Sequence, residues 1–166
     1  ESFHCAYELP VVTLRPFNTY GPRQSARAVI PAIISQALTR STIHLGSLDT
    51  LRDFTYVDDT VSGFIDVALA RNVLGGTFNL GTGQEVRIGD LAQKIIKKVG
   101  KPIKIVVDPT RLRPERSEVM ELISDNSLAR TSLGWQPQVS LDEGLDRTIA
   151  WVSSHLDLFQ PDVYQF

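Results

Sequence analysis

Residues 11–23 read VVTLRPFNTYGPR, and this stretch carries most of the information about the fold. Residues 11–15 form a short apolar run rich in β-branched side chains, which predicts a strand of the buried type. Two prolines and a glycine then predict that residues 16–27 form a loop. Loops at one end of an α/β sheet are the segments in which such proteins bind ligands.

The remainder of the chain alternates between helical and strand patterns. Helical spacing predicts helices over residues 28–39, 60–69, 90–99, 127–133 and from 141 onward. Strands are predicted over residues 43–45, 54–57, 77–80 and 103–107. Asp58 and Asp59 are interpreted as N-caps of an amphipathic helix whose apolar face begins at Val61, the alternative being a carboxylate pair for acid–base chemistry. Ser140 and Glu143 are interpreted as a capping box. This alternation of strands and helices predicts an α/β fold.

Composition restricts the class of protein. The 166 residues are 42% hydrophobic and 22% charged, with a formal net charge of −2, which fits a single globular domain. The charge balance argues against nucleic-acid or anionic-membrane binding driven by bulk charge, and no apolar run is long enough for a transmembrane span. The single Cys5 excludes an internal disulfide and a cysteine-built zinc site, and the three histidines lack metal-ligand spacing. We therefore expect a cytoplasmic protein without a metal.

The first residues have the spacing of the C-terminal turns of a helix. Apolar residues at Phe3, Ala6 and Tyr7 have helical spacing, Glu1 has no N-cap residue before it, and Pro10 ends the segment. We interpret residues 1–9 as the last two turns of a helix whose start is not in this sequence. The alternative is a complete N-terminal helix that has lost its initiating Met.

Arginine is concentrated in the irregular segments. Twelve of the 17 basic residues are Arg, and six of these lie in or beside loops: Arg23, Arg27, Arg52, Arg111, Arg113 and Arg116. The guanidinium fork matches the oxygens of phosphates and carboxylates, so these loops are candidates for binding an anionic ligand. The alternative is that the arginines are solvated or pair with local acids such as Asp53 and Glu115. Residues 81–83 (GTG) follow a strand but lack the third glycine of a nucleotide fingerprint, so a turn is predicted there.

Four motifs occur in the order that is typical of one enzyme family. They are LRPFNTYGPR at 14–23 followed by VIP at 29–31; LG at 45–46 with RDFTYVDD at 52–59; FNLG at 78–81; and RP at 113–114 with LGWQP at 133–137 and LDEG at 141–144. Together they resemble the extended short-chain dehydrogenases/reductases that act as nucleotide-sugar epimerases and dehydratases. The resemblance covers nearly the whole chain.

The resemblance also implies a missing half. The family's N-terminal half carries a GxxGxxG cofactor fingerprint, a catalytic Ser/Thr and a Tyr-x-x-x-Lys pair, and this sequence contains none of them. The resemblance implies the C-terminal part of such an enzyme, with residues 1–27 as a remnant of the Rossmann half and residues 28–166 as a small mixed α/β substrate-binding lobe. NAD is implied in the intact parent, and we expect this chain alone to bind no cofactor, to hold no catalytic residue and to be inactive.

Residue roles follow from the matched motifs. Asn18, Arg52, Asn79 and Arg113 match residues that bind the diphosphate or its ribose, and Val29 matches backbone contacts near the base. Pro16 and Phe17 match the loop that meets the nicotinamide. The family commonly has an acidic residue or His three positions after the equivalent of Arg113, whereas this chain has Arg116. The expected partners are a nucleotide-diphosphate sugar and the missing Rossmann half.

Within the family, the stretches NTYGPRQSARAVIP at 18–31 and RPERSEV at 113–119 look most like sugar 4,6-dehydratases of nonulosonic (legionaminic-type) acid pathways. A nucleotide-sugar 4-epimerase and a dTDP-glucose-type dehydratase are the alternatives, because the residues that distinguish the reactions lie in the other half. A third possibility is a non-catalytic binding or scaffold module that reuses the lobe. Since half of a doubly wound enzyme exposes apolar surface, we also expect a homo-oligomer.

Overall fold

The computed structural model describes residues 2–112 and 114–159. The helices are α1 (Ser2–Tyr7), α2 (Val29–Thr39), α3 (Val57–Leu69), α4 (Ile88–Val99), α5 (Ser127–Leu133) and α6 (Leu141–Ser154). The strands are β1 (Thr13–Pro16), β2 (Asn18–Tyr20), β3 (Thr42–Leu45), β4 (Leu51–Arg52), β5 (Phe54–Tyr56), β6 (Thr77–Leu80), β7 (Val86–Arg87), β8 (Lys104–Val107) and β9 (Glu121–Leu122). Short 3-10 turns are Pro109–Arg111, Glu115–Ser117 and Leu156–Leu158.

Within these residues the strands form four small sheets. Three are parallel pairs, β1 with β6, β2 with β5 and β3 with β8. In the fourth, β4 is central, antiparallel to β7 and parallel to β9. The chain is therefore a mixed α/β protein, as the alternation in the sequence predicted.

The main core lies where α2, α4 and α6 meet the β2–β5 and β3–β8 pairs. Ile33, Leu91 and Leu145, one from each helix, have no exposed surface. A smaller cluster packs Leu80 against Trp135, whose ring Nε1–H donates to the backbone oxygen of Asp59 at 3.0 Å. The core thus fixes β2 and β5 relative to the start of α2.

Most predicted elements are confirmed. The helices predicted over 28–39 and 90–99 are α2 and α4, and α4 begins two residues before its predicted start. The strand predicted over 77–80 is β6 with the same bounds. Gly100 and Gly134 end α4 and α5 with φ of 73° and 66°, a left-handed conformation that favours glycine. The helical pattern of residues 1–9 is confirmed over Ser2–Tyr7.

Two predictions for residues 11–27 are wrong. The expected buried strand is β1, but Thr13, Arg15 and Pro16 are exposed, because β1 pairs within the described residues only with β6 and, of its residues, only Leu14 packs against a core cluster. The predicted loop over 16–27 contains the strand β2, which pairs with β5. A three-residue strand is too short for alternating side chains to show a period.

The apolar face predicted for α3 is present and largely exposed. Val61, Phe64 and Ile65 are each about half exposed, and Leu69 is 77% exposed. The helix packs through its other side, where Gly63 approaches Leu80 so closely that an added Cβ would lie 2.7 Å from the Leu80 Cδ1 atom.

The N-cap interpretation of the two aspartates is also wrong. The N-cap of α3 is Tyr56, which has no side-chain capping bond, and Asp58 and Asp59 lie in the first turn. The Asp59 carboxylate accepts hydrogen bonds from the backbone N–H groups of Gln138 and Val139, at 2.9 and 3.1 Å. It therefore fixes the segment that leads into α6.

The helices between Ser2 and Phe159 are short compared with the roughly 20 apolar residues that a membrane span needs. None of those that the structure describes is long and apolar enough to cross a membrane.

Candidate functional site

A cleft of about 370 Å³ lies between the end of β2, the start of α2 and strand β4. Its lining includes Asn18, Gln24, Arg27, Val29, Arg52 and Arg111. Three of the six predicted substrate-binding or cofactor-contacting residues that the structure describes, Asn18, Val29 and Arg52, are thus brought together. Two of the loop arginines singled out by composition, Arg27 and Arg111, join them.

Arg52 is held in the wall of the cleft by two acceptors. As the last residue of β4, it donates from Nη1 to the Leu51 carbonyl at 2.8 Å. Its Nη2 lies 3.3 Å from Oε1 of Glu118, which also lines the cleft. The Arg52 side chain is only 14% exposed, so its guanidinium group is largely fixed before any ligand arrives.

Asn18 and Val29 occupy the ends of their elements. Asn18 begins β2, and its Nδ2 donates to the Asp53 carbonyl at 3.0 Å, which ties β2 to the chain directly after Arg52. Val29 begins α2, whose first turn holds no acidic residue. The unpaired backbone N–H groups at a helix N-terminus favour a negative charge nearby, so this end of α2 adds to the positive potential of the cleft.

Arg27 and Arg111 contribute the remaining cationic groups. Arg27 is exposed, and its side chain has no ion-pair partner within residues 2–112 and 114–159. The Nε of Arg111 lies 3.3 Å from Asp108 Oδ2. Hydrogen bonds from the Thr110 hydroxyl and backbone N–H, together with Arg111, lower the pKa of Asp108 below its usual range. The ionised Asp108 therefore holds the turn that carries Arg111.

Gly46 allows that turn to approach the cleft. An added Cβ at Gly46 would lie 2.5 Å from the Arg111 carbonyl oxygen, a contact that no side chain permits. This close approach requires glycine after β3. It explains structurally why the Leu45-Gly46 pair occurs where it does.

The structure places the other predicted residues elsewhere. Asn79 lies on β6, where its Nδ2 donates to the Asp125 carbonyl at 3.1 Å, and it does not line the cleft. Pro16 ends β1 and Phe17 follows it, with its N–H donating to the Leu80 carbonyl at 2.9 Å. These three residues share the carboxyl end of the β1–β6 pair. Arg113 lies outside the described residues.

Asp53 does not pair with a loop arginine as the alternative interpretation required. Its carboxylate is fully buried and accepts hydrogen bonds from Thr82, Gly83 and Ser124, so it holds the turn predicted at 81–83. Glu118 pairs with Arg52 instead. Arg52 therefore does pair with an acidic residue, as the alternative predicted, but that residue is Glu118 instead of Asp53.

Two cleft residues were missed by the sequence interpretation. Gln24 donates from Nε2 to the Thr19 carbonyl at 2.7 Å, while its Oε1 is buried without a hydrogen-bond partner among the described residues. Glu118 belongs to the stretch RPERSEV, whose arginines alone carry the predicted anion site. A polar residue inside a motif-bearing loop was the available signal in both cases.

The described part of the chain offers no group of three or more His, Cys, Asp or Glu side chains that could hold a metal ion. The cleft instead combines three arginines, a helix N-terminus, one carboxylate and an unpaired amide oxygen. Such a set is suited to a multiply charged anion that also carries hydrogen-bond donors.

Comparison with known proteins gives a consistent result. Residues 1–148 match the family described as GDP-mannose 4,6 dehydratase. A UDP-glucose 4-epimerase of Mycolicibacterium smegmatis is 39% identical over 149 residues, which cover 86% of this chain and 45% of that protein. A human dTDP-D-glucose 4,6-dehydratase is 33% identical over 163 residues, covering 91% of this chain and 44% of that protein.

Solved structures show the same likeness. The epimerase Mth375 of Methanothermobacter thermautotrophicus superposes with a TM-score of 0.85 at 33% identity, over 95% of this chain and 47% of that one. UDP-glucuronic acid 4-epimerase of Bacillus cereus, solved with UDP-glucuronic acid and NAD, gives 0.84 at 29% identity, over 93% and 48%. The chain spans less than half the length of each of these four relatives.

Proposed function

The chain belongs to the NAD-dependent epimerase/dehydratase family of extended short-chain dehydrogenases, and from this premise we propose that it is the nucleotide-sugar-binding half of a 4,6-dehydratase. In this proposal residues 1–27 belong with the Rossmann half and residues 28–166 form the substrate lobe. The single observation that carries the proposal is the cleft that brings Asn18, Val29 and Arg52 together.

The charge of the cleft supports a diphosphate as its ligand. Arg27, Arg52 and Arg111 contribute three positive charges, and Glu118 with the Asp108 carboxylate that pairs with Arg111 contributes two negative charges, so the cleft and this partner carry a net charge of about +1. The diphosphate of a nucleotide sugar carries two negative charges. Arginine forks and the first turn of α2 supply charge-assisted donors from more than one side, which is the arrangement a diphosphate needs.

The catalytic half would bind to surfaces that this chain exposes. Among the described residues β1 forms a ladder along one edge only, with β6, and the apolar face of α3 is exposed to solvent. NAD, held by that other half, would supply hydride acceptance and return. The carboxyl end of the β1–β6 pair, with Pro16, Phe17 and Asn79, would then lie at the junction, where Pro16 and Phe17 would contact the cofactor.

The 4,6-dehydratase assignment is supported by the matched family and by the dehydratases that align over 91% of this chain. A 4-epimerase is the second candidate, because the UDP-glucose 4-epimerase of Mycolicibacterium smegmatis is 39% identical. The resemblance of residues 18–31 and 113–119 to dehydratases of legionaminic-type pathways favours the first. In either case we expect the 166-residue chain alone, mixed with NAD and UDP-glucose, dTDP-glucose or GDP-mannose, to form no product.

The proposal is tested by calorimetric titration of UDP, GDP and dTDP into the chain and its variants. Arg52→Ala removes charge-assisted hydrogen bonds worth about 1.5–3 kcal/mol each, so affinity should fall roughly 10- to 100-fold. Arg52→Lys should recover only part of it, because lysine lacks the fork. Arg113→Ala should behave like Arg52→Ala, on the strength of the resemblance alone.

Arg71→Ala is the matched control, because Arg71 is exposed and lies outside the cleft. It should bind each nucleotide as the unmodified chain does. If Arg52→Ala also binds all three nucleotides unchanged, the cleft is not the diphosphate site and the proposed role is wrong.

A further inference from the structure

Arg52, the central arginine of the cleft, already forms an ion pair with a carboxylate of the protein itself. Arg52 Nη2 lies 3.3 Å from Glu118 Oε1, and the two side chains are 14% and 17% exposed. The other terminal nitrogen, Nη1, donates to the Leu51 carbonyl at 2.8 Å. Both ends of the guanidinium group are thus engaged before a ligand binds.

Glu118 is also held close to Arg52 by the backbone. The segment that follows it pairs with the strand of Arg52 on both sides, through Leu51 N–H to Met120 O at 2.7 Å and Asp53 N–H to Leu122 O at 3.1 Å. These bonds flank Arg52 in sequence. The main chain of Glu118 therefore stays beside β4, and its carboxylate remains within reach of Arg52 after another anion has displaced it.

A carboxylate in this position opposes anion binding. An incoming phosphate must replace Glu118 at Nη2 and then lie beside a negative charge that is largely withdrawn from water, where screening is weak. The cost falls on every anion that uses Arg52. A ligand with two charged groups can offset the cost by contacting Arg27 or Arg111 at the same time.

We propose that Glu118 is the counter-anion of Arg52 in the empty cleft. The substrate diphosphate displaces Glu118 from Arg52, and the Glu118–Arg52 ion pair forms again when the ligand leaves. This inference rests on the proposed function, because it takes the cleft to be the diphosphate site. Glu118 preserves the orientation of Arg52 in the empty cleft and weakens ligand binding, so that the bound nucleotide exchanges readily. Its effect on affinity is opposite in sign to that of an ordinary binding residue.

The test is titration of inorganic pyrophosphate and of UDP into the full chain at low salt. Glu118→Gln keeps the shape of the side chain and removes its charge, so both ligands should bind about tenfold more tightly. Glu118→Asp keeps the negative charge but places it farther from Arg52, because the side chain is one methylene shorter. The ligands should therefore bind more tightly by a smaller factor, roughly twofold. Glu121→Gln is the matched control, since Glu121 is exposed on β9 and outside the cleft.

A double-mutant cycle identifies the residue through which Glu118 acts. In an Arg52→Ala background the gain from Glu118→Gln should be clearly smaller than tenfold, because competition for the guanidinium is gone and only repulsion by the carboxylate remains. A purely structural role would change the melting temperature without this dependence on Arg52. Circular dichroism melts of each variant separate loss of folding from a change in affinity, and the Asp variant keeps the test open if the Gln variant unfolds.

The outcomes also separate the two proposals. If Glu118→Gln leaves affinity unchanged or weakens it while Arg52→Ala still loses binding, the counter-anion role is wrong and the proposed function stands. If neither variant changes the binding of pyrophosphate or UDP, the cleft is not the diphosphate site and both proposals fail.

Discussion

The carboxylate of Asp53 is fully buried and accepts four hydrogen bonds. Two come from the backbone N–H groups of Thr82 and Gly83, at 2.9 and 2.8 Å, one from the Thr82 hydroxyl at 2.5 Å, and one from the Ser124 N–H at 3.2 Å. The adjacent Arg52 lines the cleft. Asp53 therefore joins the turn after β6 and the segment before α5 to the strand that carries the proposed ligand-binding arginine.

Replacement of Asp53 with Asn should be strongly destabilising. An amide has one acceptor oxygen in place of two, and its NH₂ group would face N–H donors that lose their partner in the interior. We expect the free energy of unfolding to fall by about 2–4 kcal/mol. Urea denaturation followed by circular dichroism measures the loss.

Asp157→Asn makes the same chemical change at an exposed position and should be within about 0.5 kcal/mol of the unmodified chain. An equal, small effect at Asp53 and Asp157 would show that the four hydrogen bonds do not carry the stability assigned to them.

Neighbouring acidic residues show what sequence can and cannot reveal at this scale. Asp58-Asp59 before a helical pattern has the sequence signal of an N-cap, and that prediction is wrong because Asp59 bonds to the backbone of Gln138 and Val139. Those partners are 79 and 80 residues away in the chain. Local propensity carries no information about an acceptor whose donors come from so distant a segment.

Helix α6 packs unusually close to strand β2. An added Cβ at Gly144 would lie 2.1 Å from the Tyr20 hydroxyl oxygen, which itself donates to the Leu141 carbonyl at 3.4 Å. Burial raises the pKa of Tyr20 well above its usual range, with smaller contributions from Tyr56 and nearby acids. The neutral phenol thus forms part of the interface between α6 and the strand that begins at Asn18.

Gly144→Ala should destabilise the chain although alanine favours helices. The gain in helix propensity is about 1 kcal/mol, whereas the new methyl group collides with Tyr20 and forces α6 away from β2. We expect a net loss of about 1–3 kcal/mol in the free energy of unfolding, measured by thermal and urea denaturation.

Ser153→Ala, on the exposed side of the same helix, should be neutral or slightly stabilising. A stabilising Gly144→Ala would mean that α6 and β2 are not packed as closely as the structure shows.

At the scale of elements, sequence predicts the long ones well and the short ones poorly. Helix α4 has a clear apolar face, with Leu91 and Ile95 fully buried, and a glycine at its end, so its pattern is sufficient to locate it. Strands β4, β7 and β9 have two residues each. Two residues contain no periodicity, and these strands exist because tertiary packing brings their partners together.

Part of the candidate site was predictable for a related reason. Asn18 and Arg52 lie on adjacent short segments, where Asn18 is opposite Phe54 in the parallel β2–β5 pair, so the motifs place them together. Asn79 lies on a different pair, β1–β6, and contacts Asp125 instead of the cleft. Glu118 could not be predicted as a partner of Arg52, because that contact depends on how a proline-rich loop returns to β4.

At the scale of the whole molecule, the largest departure from an ordinary domain is the exposed apolar face of α3. Ile65 and Leu69 are 52% and 77% exposed, and large exposed apolar patches favour association. We expect the chain to self-associate reversibly in solution. The double variant Ile65→Lys/Leu69→Lys should shift it toward monomer, as measured by sedimentation velocity at several concentrations.

Ser153→Lys adds a similar charge at an exposed position on α6 and should leave the association unchanged. A chain that sediments as a monomer at all concentrations would show that this face does not drive association.

The parallel pairing of β1 with β6 has a consequence for how the protein is made. Thr13 pairs with Thr77, which is 64 residues later in the chain. A ribosome that adds about 5–20 residues per second needs roughly 3–13 seconds to synthesise that interval. During every round of translation the β1 segment therefore leaves the exit tunnel before β6 has been synthesised, and until then the edge that pairs with β6 is open to pairing with other nascent chains.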